Sequence, residues 1–201
     1  ASILEVRMGN HPFIPSVAPD PTQTASEVSL LSGILHLVSF DSNTPNPDGT
    51  VSLTQQSKTR FDLTYDLTNE DSFGGSISSF DDFGTVGKES KDLSGLSLIF
   101  GLKDAGAPTL LLQLEDVNGA KDQVTLTGVD DTERFWTVDT SLFDDVDLTQ
   151  VTVMVFLLLE DQLTDTASTL EVRLGDHPFT PPLPTIEPDA SSDADDVTAL
   201  P

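Results

Sequence analysis

The 201-residue chain carries 9 Lys+Arg against 34 Asp+Glu, a formal charge of −25, with 37% hydrophobic residues and no cysteine. This balance allows a buried core but speaks against phosphate backbones and anionic bilayers as partners, and it excludes disulfides, thiolate metal sites and a cysteine nucleophile. No run reaches the ~18 apolar residues of a membrane span, so neither nucleic acid binding nor membrane insertion is expected.

Taken in order, the chain opens on Ile3, Leu4, Val6 and Met8 around Glu5 and Arg7, a strand pattern. The segment Ser2 to Phe13 returns as Ser168 to Phe179, a constant offset of 166 residues with nine of twelve positions identical. Both copies lead into a proline-rich acidic stretch, the first through Pro15, Pro19 and Pro21 and the second through Pro181, Pro182 and Pro184. Such an echo marks an array, here with a whole domain as its unit. Residues 1–13 are expected to be the terminal strand of a preceding repeat or an exchanged strand, and 14–27 a linker. Residues 28–180 would form the folded unit, and 181–201 an acidic tail leading into a longer chain.

Within the folded unit, strand follows strand. Val28 to Phe40 is apolar enough for one buried strand, or two joined at Gly33, and Asp41 to Thr50 reads as a loop. Arg60 to Leu67 alternates, with Phe61, Leu63, Tyr65 and Leu67 on one face. Ser72 to Phe80 is small and glycine-rich, and 96–102 and 109–115 are core-like. The turn at Asn118-Gly119 joins the latter to 123–127. Residues 135–139, the apolar run Val151 to Leu159 and the echoed strand 168–174 follow. Eight to ten short strands and no amphipathic helix predict an all-β, antiparallel sandwich with a flanking extended strand and proline-rich linkers.

The block from Asp92 to Val172 carries a succession of motifs. Asp92-Leu93-Ser94-Gly95 leads into a strand, Trp136-Thr137-Val138 precedes Leu142-Phe143, and Asp147-Leu148-Thr149-Gln150-Val151 introduces the penultimate strand. In this order they resemble the galactose-binding-like jelly rolls found among carbohydrate-binding modules of secreted bacterial enzymes. That resemblance implies a jelly roll, a structural role for Trp136, a structural calcium ion and a glycan as possible ligand. The chain has one Trp and one Tyr, fewer aromatics than a sugar-stacking face usually presents.

The candidate chemistry is thin. His11 and His177 are copies of one position, and His36 reads as a lone core residue. No catalytic residues are expected. Asp41, Asn43 and Asp48 gather oxygen ligands that suit Ca²⁺, with further acidic clusters at Asp81-Asp82, Asp130-Asp131 and Asp144-Asp145 with Asp147. Phe80 and Phe83, in loop-like surroundings with Phe73, are the candidates for a sugar platform. Leu4, Val6, Met8 and Phe13, with their copies Leu170, Val172, Leu174 and Phe179, would serve assembly with other copies of the repeat. The primary expectation is a non-catalytic structural or adhesive module of an exported tandem-repeat protein, extracellular or at the cell surface. The alternative is a carbohydrate-binding module.

Overall fold

The computed structural model describes residues 14–23, 29–42 and 49–178. Twelve strands occur among them: β1 (Ser16–Val17), β2 (Ser29–Leu30), β3 (His36–Asp41), β4 (Gly49–Ser57), β5 (Arg60–Leu67), β6 (Phe73–Ser79), β7 (Leu96–Lys103), β8 (Thr109–Asp116), β9 (Lys121–Thr127), β10 (Arg134–Asp139), β11 (Val151–Leu159) and β12 (Ala167–Pro178). One sheet runs β1-β9-β8-β11-β6-β3 and the other β10-β7-β12-β5-β4, with β2 paired to the far end of β12. Every pairing is antiparallel except that of β1 with β9. The result is an all-β jelly-roll sandwich.

Alternation decides what goes inside. Phe61, Leu63, Tyr65 and Leu67 of β5 and Leu170, Val172 and Leu174 of β12 are buried against Leu110, Leu112 and Leu114 of β8 and Met154, Phe156 and Leu158 of β11. Phe100 of β7 meets Phe156 edge to face at 5.3 Å across the two sheets, a favoured aromatic geometry. Trp136 is fully buried, and its Nε1 donates to the carbonyl of Thr127 at 3.0 Å. Tyr65 is equally interior: its hydroxyl donates to Asp104 Oδ2 at 2.9 Å, while Asp104 Oδ1 accepts from Ser168 Oγ at 2.6 Å and the Gly106 amide at 2.7 Å. Burial, followed by the nearby Asp104 charge, pushes the Tyr65 phenol far above its ordinary range.

The two outer faces differ. On the β10-β7-β12-β5-β4 sheet, β5 presents Arg60, Asp62, Thr64 and Asp66, and Lys103 pairs with Glu171 at 2.6 Å and Arg173 with Glu133 at 3.0 Å. This is the usual solvated face of an antiparallel sheet. Among the described residues, the other sheet has no such polar covering over its middle strands.

Candidate functional site

The apolar run of β11 is the origin of the asymmetry. Its even-numbered residues Met154, Phe156 and Leu158 are spent on the core, so Val153, Val155, Leu157 and Leu159 fall on the outer face. Strand pairing extends this row sideways. Val155 lies between Gln113 of β8 and Ile77 of β6, and Ile77 faces Val38 of β3. Leu157 lies between Leu111 and Gly75, with Phe40 beyond, and Leu159 sits opposite Phe73. Val153 is flanked by Glu115, whose carboxylate pairs with Lys121 of β9 at 3.0 Å.

Val153, Val155, Leu157, Leu159 and Ile77 form the floor of a groove of about 470 Å³. Phe40, Phe73 and Phe83 stand along it, and Gln113, Glu115 and Lys121 supply its polar margin. Phe83 is 67% exposed and Phe73 40%, and Val38 on the same outer face is 49% exposed, so this much apolar surface faces solvent.

The loop bearing Phe83 is tied at its base. Asp81 Oδ1 accepts from the Glu89 amide at 3.0 Å, the Asp82 amide donates to Glu89 Oε2 at 2.6 Å, and Thr85 Oγ1 donates to Glu89 Oε1 at 3.1 Å. Above this closure Phe83 stacks on the His36 ring, with centroids 5.3 Å apart. His36 Nε2 lies 3.4 Å from Asp82 Oδ1. His36 is therefore not the core residue its apolar strand suggests; its side chain is 42% exposed, on the groove side of β3.

Of the two phenylalanines expected to form a sugar platform, Phe83 lies at the groove and Phe80 does not. Phe80 is 3% exposed, because it keeps step with Gly74, Ser76 and Ser78 on the inner face of β6, and its amide donates to the Thr152 carbonyl at 2.8 Å. Phe40 and the outer row of β11 were missed. The available signal was a nine-residue strand apolar at every position but Thr152 in an antiparallel setting, where one apolar face suffices.

The other expected sites are only partly within view. Asp41 Oδ2 accepts from the Val51 amide at 3.3 Å, and its supposed co-ligands Asn43 and Asp48 lie outside the described residues. Among the described residues no three His, Asp or Glu side chains converge as a metal-binding group. Asp130 accepts from the Thr132 amide, and Asp147 from the amide and hydroxyl of Thr149, so these clusters build turns. Leu170, Val172 and Leu174 are core residues of β12, while Leu4, Val6, Met8, Phe13 and Phe179 lie outside the described residues. No helix among the described residues is long and apolar enough to cross a membrane.

No protein-family model matches the chain, nor does any curated protein sequence. Among solved structures it is similar to the family 11 carbohydrate-binding module of the cellulosomal cellulase Lic26A-Cel5E of Clostridium thermocellum, at 14% identity over 74% of this chain and 90% of that one, with a TM-score of 0.48. A family 30 carbohydrate-binding module aligns at 15% identity over 69% and 80%, with a TM-score of 0.46. An exo-β-agarase aligns at 11% identity over 77% of this chain and 24% of its own, with a TM-score of 0.47.

Proposed function

We propose that the chain is a non-catalytic module of an exported protein that binds a neutral polysaccharide along the outer face of the β9-β8-β11-β6-β3 strands. The observation that carries this reading is the groove itself: an aliphatic floor, three phenyl rings along it and an amide, a carboxylate and an ammonium at one margin. Pyranose rings offer apolar C–H faces to phenyl groups and equatorial hydroxyls to polar side chains, so a sugar chain complements both parts. The net charge of −25 disfavours anionic glycans. Glycoside hydrolysis takes two carboxyl groups flanking the scissile bond. Glu115 is the one carboxylate among the lining residues, and it is engaged by Lys121, which favours binding over cleavage.

The test is affinity electrophoresis and calorimetry against soluble cellulose, mixed-linkage β-glucan, xylan and agarose. Retardation by at least one of them is expected, lost in Phe83→Ala and in Leu157→Asp while the melting transition of Phe83→Ala stays at the wild-type temperature. Silence across the panel, or binding indifferent to both substitutions, would overturn the reading.

A further inference from the structure

The proline-rich segment ahead of the sandwich is built into it. The Thr125 amide donates to the Pro15 carbonyl at 2.7 Å, and Thr127 Oγ1 donates to the Val17 carbonyl at 3.4 Å. Val17 packs against the core. The segment then crosses to the other sheet, where the Asp20 amide donates to the Phe135 carbonyl at 2.7 Å and Asp20 Oδ2 accepts from Thr137 Oγ1 at 3.1 Å. Residues 15–20 thus bridge the β9 edge of one sheet and the β10 edge of the other.

The echo at offset 166 places Pro181, Pro182 and Leu183 in register with Pro15, Ser16 and Val17. The second copy suits the same seat. Position 15 is proline in both and contributes its carbonyl, and position 17 contributes an apolar anchor, which leucine enlarges. The contacts with β9 come through positions 15 and 17, so the position-16 amide is turned away and proline there costs no ladder bond.

We propose that the β9 edge is a docking site for the segment following a β12 strand, and that Pro181-Pro182-Leu183 of one copy takes on a second copy the place held here by Pro15-Ser16-Val17. Recognition is by parallel β-addition with one aliphatic anchor, a mode in which backbone bonds give affinity and the pocket gives register. In a tandem protein the same seat would be filled by the preceding unit. Between Pro178, the last residue of β12, and Pro182, the counterpart of Ser16, lie three residues, so neighbouring units would be held close. The inference is independent of what the groove binds.

In the intact chain the seat is filled from within, so the experiment weakens the internal occupant. Val17→Asp, with Val17→Ala as the milder variant, is examined by sedimentation velocity over a concentration series and by amide exchange at Thr125. Emission from the single buried Trp136 reports that the sandwich stays folded. Wild type should sediment as one chain with Thr125 protected. The Val17 variants should lose Thr125 protection when dilute, regain it when concentrated, and grow into dimers and larger species. Adding Leu183→Asp should return them to single chains with Thr125 exposed. The proposal is overturned if the opened variants stay monomeric, if association survives Leu183→Asp, or if Thr125 stays protected in dilute Val17→Ala and Val17→Asp.

Discussion

At the scale of single residues, aspartate is the chain's chief builder of turns. Nine aspartates among the described residues (Asp20, Asp82, Asp92, Asp104, Asp116, Asp130, Asp139, Asp147 and Asp165) accept the N–H two residues ahead. Part of the acidic excess is therefore architecture, which composition alone could not distinguish from calcium ligands. Four of these carboxyls are held below their ordinary range: Asp20 chiefly by the Thr22 hydroxyl, Asp92 by that of Ser94, Asp116 by the Asp147 amide and Asp147 by the Thr149 hydroxyl. A lowered value in the folded state means stabilisation that is fully present above the unfolded value, near 3.8, and is lost as the pH falls through the lower folded one. Urea titrations of wild type and Asp147→Asn should differ at neutral pH and converge in acid; a constant gap would contradict the assignment. Two further substitutions separate core from groove. Phe80→Ala should cost about 3–5 kcal/mol of unfolding free energy, as for a fully buried phenyl ring. Asp104→Ala leaves the Tyr65 and Ser168 hydroxyls and the Gly106 amide without their shared acceptor, and should cost roughly 3 kcal/mol. Chemical denaturation measures both.

At the scale of elements, β6 and β11 show what alternation can and cannot reveal. The glycine-rich reading of β6 has a steric cause: a Cβ on Gly75 would come within 1.9 Å of the Phe156 carbonyl oxygen, and one on Gly74 within 2.4 Å of Val51 Cγ2. Gly75→Ala must push β6 from β11 and should lower stability by about 1–3 kcal/mol in thermal or denaturant melts. Because Gly75 faces Leu157 and Phe40 in the ladder, the same change should also distort the groove floor. Strands with dense or alternating apolar residues (β5, β7, β8, β11 and β12) were legible because each must bury a full face. By contrast, β4 was not, since this edge strand offers Val51 and Leu53 among Thr, Ser, Gln and Gly. Nor was β1, whose two residues are held by bonds to β9 rather than by any pattern of their own. Phe83 was visible as an aromatic in loop-like surroundings, but its closure, in which the Asp81 carboxylate accepts from the Glu89 amide, joins residues eight apart. Phe80 differs from it by the phase of one strand, which fixes the inward side only once register is known.

For the whole molecule, charge sets the behaviour in salt. With a formal charge of −25 and nine basic residues, repulsion between carboxylates outweighs the exposed ion pairs, each worth little. Calorimetry from low to moderate sodium chloride should therefore show a rising melting temperature as the Debye length shrinks to about 10 Å near 0.1 M. A falling one would mean that pairs such as Lys103–Glu171 dominate. Binding of a neutral polysaccharide, resting on apolar contact and uncharged hydroxyls, should change little over the same range.

The position of β12 has a consequence for how the chain reaches this state. The last strand among the described residues lies in the middle of its sheet, between β7 on one side and β5 with β2 on the other. Until residues 167–178 emerge from synthesis, β5 and β7 each wait with an open side, and the half of the core beneath Leu170, Val172 and Leu174 stays wet. Apart from the β4–β5 hairpin, the pairings along that sheet are long-range, which makes closure slow and cooperative. A nascent chain arrested before Ala167 should be digested by protease throughout, and one extended past Pro178 should resist.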